Sequence, residues 1–193
     1  MSFELESIPD RLRTRPVCEA AVRCGGNNLR GVPKEFLTYD LCLEAIKNGL
    51  VFPEFVPEEY YTDELLKAFA IKSGDFIDRL PKRFLSEELC ILAMENNYSV
   101  GSIFSHIPNV TERIVKVFLK NASMSNATHL DIKHIPSNLY SEEVVLGIAN
   151  ICYQYVPFNF PEHLRTNKFI KQLVEMYPQL ETEFEQNSIK PID

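Results

Sequence analysis

The chain has 193 residues, 45% of them hydrophobic and 24% charged, a balance that excludes a disordered polymer and is ample for a buried core. Its formal net charge is −7, with acidic residues spread along the chain and no basic stripe, which argues against nucleic acid or an anionic membrane surface as a partner. No run approaches the roughly 20 apolar residues of a spanning helix, so membrane insertion is not expected.

The opening MSFELESIPD is acidic and lacks the basic and apolar regions of a secretory signal. A cytoplasmic protein is therefore expected, with its five cysteines (Cys18, Cys24, Cys42, Cys90 and Cys152) reduced. Four Asn-x-Ser/Thr matches, at Asn97, Asn109, Asn121 and Asn126, carry no weight without an export signal.

In chain order, the same short motif opens element after element: an apolar residue, a proline, then a Ser or Thr five positions on. IPDRLRT contains Pro9, VPKEFLT Pro33, VPEEYYT Pro57 and LPKRFLS Pro81. A degenerate copy, IPNVT, contains Pro108; IPSNLYS contains Pro136 and FPEHLRT Pro161. The seven prolines are spaced by 24, 24, 24, 27, 28 and 25 residues, a period that signals a repeat architecture.

Each copy reads as a helix start. Proline keeps the residue before it out of helical geometry. Thr14, Thr38, Thr62, Ser86, Ser141 and Thr166 then stand where an N-cap oxygen can accept from the first helical turn. Thr111 stands three after its proline in the degenerate copy. Carboxylates follow at Asp63-Glu64, Glu87-Glu88 and Glu142-Glu143, where the helix dipole favours negative charge.

Beyond the cap, apolar residues fall 8, 9, 12 and 13 positions after the proline. Leu41, Cys42, Ala45 and Ile46 occupy these slots in the second copy, Leu89, Cys90, Ala93 and Met94 in the fourth, and Val144, Val145, Ile148 and Ala149 in the sixth. That spacing is one helical face. Helices of about 10–12 residues are expected, ending near Gly25-Gly26, Asn48-Gly49 and Ser73-Gly74. Before each proline a second apolar pair (Leu5/Ile8, Leu29/Val32, Ile77/Leu80, Phe104/Ile107, Ile132/Ile135) predicts a short helix or helical turn packing back on the first. Pro53 and Pro157 make two of these turns irregular. Phe169, Ile170, Leu173, Val174 and Tyr177 predict a C-terminal capping helix over about 167–186.

One such unit cannot bury its stripe alone, whereas stacked copies can. The expected fold is all-α: an α-solenoid of about seven helix–turn–short-helix repeats forming a single domain over residues 1–193. The residues Leu12, Thr14, Val17, Ala21, Val22, Gly26 and Leu29, then Phe36, Thr38, Leu41, Ala45, Ile46 and Gly49, carry a resemblance to a helical repeat family of unknown function. That family occurs in protist, giant-virus and bacterial proteins, secreted effectors among them. The resemblance covers residues 8–96 and, less closely, 135–175; residues 97–134 depart from it. It implies a helical repeat without a known catalytic set and, for an effector, delivery to a host cytosol. The rival architecture is a leucine-rich repeat, which shares the period but requires a strand where this chain has helix formers and apolar pairs four apart.

The chemistry-bearing residues are sparse. Cys18, Cys42 and Cys90 share one slot, nine after the proline, filled elsewhere by Leu66, Val145 and Ile170, so they read as core. Cys24 and Cys152 lie outside it with no motif around them. His129, Asp131 and His134 form a loose ligand spacing, the basis of an alternative reading as a metal- or ligand-binding protein or small enzyme. No phosphate-cradling or hydrolase motif is present.

Two stretches break the repeat: residues 121–134, a polar insertion, and ICYQYVPFNFPEH. Exposed aromatics anchor interfaces, which makes Tyr153, Tyr155 and Phe158, with His129 and His134, the candidate partner-binding residues. The reading is of a protein with no enzymatic role and no cofactor or metal, which binds another protein of basic or mixed charge. A homo-oligomer through the thin N-terminal edge is a further reading.

Overall fold

The prolines act as expected on the backbone. In the computed structural model, which describes residues 4–96, 104, 107–124, 132, 135–157 and 160–192, the residues before Pro9, Pro33, Pro57 and Pro81 are all extended. A turn of 3-10 helix follows six of the seven motif prolines, over Asp10–Leu12, Lys34–Phe36, Glu58–Tyr60, Lys82–Phe84, Ser137–Leu139 and Glu162–Leu164; Pro108, in the degenerate copy, is followed by a bend. The proline carbonyl accepts the first hydrogen bond of the turn, as from the Leu12 N–H at 2.8 Å and the Phe36 N–H at 2.9 Å. This turn fills the gap between proline and cap.

Seven α-helices then start at the predicted caps: α1 Arg15–Cys24, α2 Tyr39–Asn48, α3 Asp63–Ser73, α4 Glu87–Asn96, α5 Glu112–Met124, α6 Glu142–Cys152 and α7 Asn167–Met176. The Thr38, Thr62, Ser86, Thr111, Ser141 and Thr166 hydroxyls accept from the N–H three residues on, at 3.2–3.3 Å. Thr14 makes no such bond; Pro16 sits in the first turn of α1 and already fixes the local backbone. The expected terminal helix is two pieces. Pro178 cannot donate to a helical ladder, so the chain breaks at Tyr177 and restarts as α8, Leu180–Gln186.

The second predicted element is also 3-10 rather than α: Gly26–Gly31 after α1, Pro53–Phe55 after α2, Gly74–Arg79 after α3 and Tyr153–Tyr155 after α6. These segments are too short to nucleate an α-helix and are held by their buried apolar residues instead. Leu29, Val32, Ile77, Leu80, Phe104, Ile107, Ile132 and Ile135 are all buried, while Ile8 is partly so. The described residues contain no strand, so the ladder that a leucine-rich repeat requires is missing from them.

Contacts group into two compact units, Met1–Val100 and Gly101–Asp193. In the first, α1 packs on α2, α2 on α3 and α3 on α4, with Gly26–Gly31 seated on α1 and α2, and Gly74–Arg79 on α3 and α4. Its core runs through Cys18, Val22, Leu29, Cys42, Ile46, Val56, Leu65 and Phe69. In the second, α5 packs on α6, and α8 on both α7 and the Tyr153–Tyr155 turn. Phe160 meets Phe169 and Phe184 there, at ring-centroid distances of 5.9 and 5.6 Å. No helix among the described residues is long and apolar enough to cross a membrane.

Polar links tie positions about one period apart. The Asn28 side chain, 4% exposed, accepts the Leu5 N–H at 2.8 Å and donates to the Ala21 carbonyl at 3.0 Å. The Ser73 hydroxyl accepts the Val51 N–H at 3.3 Å. The Tyr39 hydroxyl reaches Thr62 and Glu64, and the Tyr60 hydroxyl donates to the Leu37 carbonyl. A donor four residues after the proline pins the backbone in four copies. Arg13 Nε donates to the Ile8 carbonyl (2.8 Å) and Arg165 Nε to that of Phe160 (3.0 Å). Tyr61 donates to the Pro53 carbonyl (2.8 Å) and Tyr140 to that of Ile132 (3.2 Å).

Candidate interaction surface

The turns on either side of the first four motif prolines place charges beside those of the neighbouring copy, and these charges alternate in sign from the first copy to the fourth. Arg30, on Gly26–Gly31, pairs with Glu6 at 2.7 Å and Glu4 at 3.7 Å. Arg79 pairs with Glu54 at 2.8 Å, its guanidinium 4.6 Å from the centroid of Phe52 and 5.3 Å from that of Phe76. Arg83 pairs with Glu58 and lies 4.9 Å from the Phe84 ring. Each pair is half-exposed and contributes well under 1 kcal/mol or so on its own. Their value here is positional, because they hold charges in register along one edge of the first unit.

Between the second and third proline-led turns this edge opens into a groove of about 550 Å³. Leu29, Val32 and Val56 lie buried beneath it, and the half-buried Leu37, Phe55 and Tyr60 give it what apolar surface it has. Arg30 and Lys34 stand on one wall and Glu54, Glu58 and Glu59 on the other. Reading the sequence missed this groove. Part of the signal was visible in the two residues after Pro33, Pro57 and Pro81, which run Lys34-Glu35, Glu58-Glu59 and Lys82-Arg83, whereas Arg30 and Glu54 precede their prolines.

The sequence-derived candidates are not among the residues that line this groove. Tyr153 and Tyr155 form the 3-10 turn that closes α6 and packs against α8, and both rings are half-buried. Phe158, His129, Asp131 and His134 lie outside the described residues. Among the described residues no group of three or more His, Cys, Asp or Glu side chains is placed to hold a metal ion.

The thiols divide as their slots suggest. Cys18, Cys42 and Cys90 are fully buried, and Cys18 sits 3.6 Å from the Arg13 carbonyl. Burial pushes the Cys42 thiol up to about 12 and that of Cys90 to about 11, with Glu59 and Glu87 adding to the respective shifts. Burial raises Cys18 as well, against the opposing Arg13 charge. Thiols held protonated in this way are poor nucleophiles at neutral pH. Cys24 is exposed and Cys152 half-buried.

No protein-family model, curated protein or solved structure matches the chain.

Proposed function

We propose that the chain is an α-solenoid-type helical-repeat protein that carries out no catalysis and binds another protein along its turn edge. The single observation that carries this reading is the mixed-charge groove between consecutive proline-led turns. Its exposed lining is mainly polar and bears charges of both signs over a buried apolar layer, the surface chemistry of a protein-binding site rather than a phosphate-binding one. The repeat part of the reading is supported by polar links near the motif period, such as Leu5 with Asn28 and Glu54 with Arg79. Stacked helical units present extended surfaces well suited to such binding.

The net charge of −7 favours a partner of basic or mixed charge. On the family resemblance, a bacterial effector working in a host cytosol is the biological setting we favour. Tyr153, Tyr155 and Phe158 make a second candidate contact.

Affinity capture from lysate at physiological salt, followed by reconstitution with the purified partner, tests the proposal. A stoichiometric complex is expected, weakened by alanine at Tyr153, Tyr155 and Phe158 if those residues touch the partner. Failure to reconstitute a stoichiometric complex with any captured protein would remove the binding function.

A further inference from the structure

The groove lies at a reversal in the charge pattern of the turn edge. Where the first and second copies meet, the carboxylates Glu4 and Glu6 meet the cation Arg30. At the junction of the third and fourth, Glu54 and Glu58 meet Arg79 and Arg83. In both cases the acidic partner belongs to the earlier copy. Between the second and third copies the order is inverted, with Arg30 and Lys34 on the earlier wall and three carboxylates on the later one. Among the described residues no ion pair crosses this groove. Arg30 is drawn back to the first copy, and Glu54 and Glu58 are drawn forward to the fourth. Lys34 and Glu59 remain as exposed charges with no ion-pair partner among the described residues, one on each wall.

This arrangement selects for chemistry. A polyanion would meet Glu54, Glu58 and Glu59, and a polycation would meet Arg30 and Lys34. A purely apolar segment would leave both walls facing charge that it cannot answer. An occupant with one charge of each sign and an apolar side chain between them satisfies the whole groove, whose size is in the usual range for ligand clefts, about 300–1,000 Å³.

We propose that the groove holds an extended peptide segment of a partner protein. A basic side chain of that segment lies against Glu59, an acidic one against Lys34, and an aliphatic or aromatic one against the half-buried Leu37, Phe55 and Tyr60. This rests on the protein-binding reading above and gives its partner a defined chemistry. The floor atoms already have their bonds, since the Tyr60 hydroxyl donates to the Leu37 carbonyl. Specificity therefore resides in the two wall charges, and their order along the peptide sets its direction.

The test uses the full chain and synthetic octapeptides on an Ala/Ser background, in which one Lys, one Leu and one Asp are permuted. All-Lys, all-Asp and uncharged versions, and free lysine and aspartate, serve as controls. Peptides with both charges flanking the Leu are expected to bind best, with one charge order preferred. Neutralising either wall, by Lys34→Ala or Glu59→Ala, should weaken binding about three- to fivefold. The exchange Lys34→Glu with Glu59→Lys should invert the preferred order. Circular dichroism confirms that these exposed substitutions leave the fold intact. The proposal is overturned if no peptide exceeds the uncharged control, if free amino acids bind as well as peptides, or if the exchange leaves the preference unchanged. A captured partner whose affinity ignores both substitutions would retain the binding function and remove this groove from it.

Discussion

Gly26 lies so close to the carbonyl of Ala45 that a Cβ on it would stand 2.0 Å from that oxygen and 3.0 Å from the Gly49 N–H nitrogen. The obstacle is backbone at the end of α2, which cannot step aside as a side chain can. Neither Gly25 nor Gly49 has a left-handed backbone, so conformational freedom is not what this pair of helix ends demands. The demand is close approach. Gly26→Ala is expected to destabilise the protein by about 1–3 kcal/mol, the usual cost of overpacking. Gly25→Ala should cost much less, because its nearest obstacle is the movable end of the Asn27 side chain at 2.9 Å. Urea unfolding of the two variants decides between close approach and a general need for glycine.

Asn28 is a buried bracket between the first turn and α1. Replacing it with Ala leaves the Leu5 N–H and the Ala21 carbonyl without their side-chain partners. A loss of about 1–3 kcal/mol is expected. Hydrogen exchange at the Leu5 amide should accelerate more than exchange in α3, since the Asn28 hydrogen bonds run to Leu5 and Ala21. Equal acceleration throughout would deny the bracket its local role.

The caps give a graded series. Thr62→Ala and Ser141→Ala each remove an oxygen that accepts a first-turn N–H, and should cost about 0.5–2 kcal/mol. Thr14→Ala removes no such bond and should cost the least of the three. Thermal unfolding midpoints of the three variants report the order, and a Thr14 effect as large as the others would contradict it.

The buried thiols and phenols fix the direction of the alkaline response. Cys42 and Cys90 ionise in the unfolded chain near 9.0 but stay protonated in the fold up to about 12 and 11. Tyr61 and Tyr140 are likewise raised from 10.0 to about 12, burial being the main cause. Above pH 9 the unfolded chain therefore releases protons that the folded chain retains. Stability from these groups is complete below pH 9 and declines as pH climbs towards 11–12. The urea midpoint should fall over this range, and less steeply in Cys90→Ala. At pH 8 a thiol reagent should modify exposed Cys24 first and leave Cys18, Cys42 and Cys90 unlabelled until unfolding.

Much of the local architecture was legible in the residues. A proline, a Ser or Thr five positions on and an apolar face of period 3.6 act within a few residues of one another, so Thr38, Cys42 and Ile46 could be given cap and core roles from spacing alone. The 3-10 character of Gly26–Gly31 was less legible, because an apolar pair three apart suits either kind of turn. The break between α7 and α8 was overlooked although Pro178 announces it, since the apolar face ending at Tyr177 suggested one continuous rod. The candidate site was barely legible. The aromatic segment drew attention by its composition, whereas the groove depends on which wall each charge faces.

The sequence alone determined where α1 to α7 begin and which face of each is buried, because capping, proline geometry and helical periodicity are short-range effects. Only the tertiary structure decided that Gly26 meets Ala45, that Asn28 holds Leu5, and that Arg30 and Glu54, which line one groove, pair on opposite sides of it. Those outcomes depend on atoms about 20 or more residues apart in the chain, whose distances are set by packing and by no local preference.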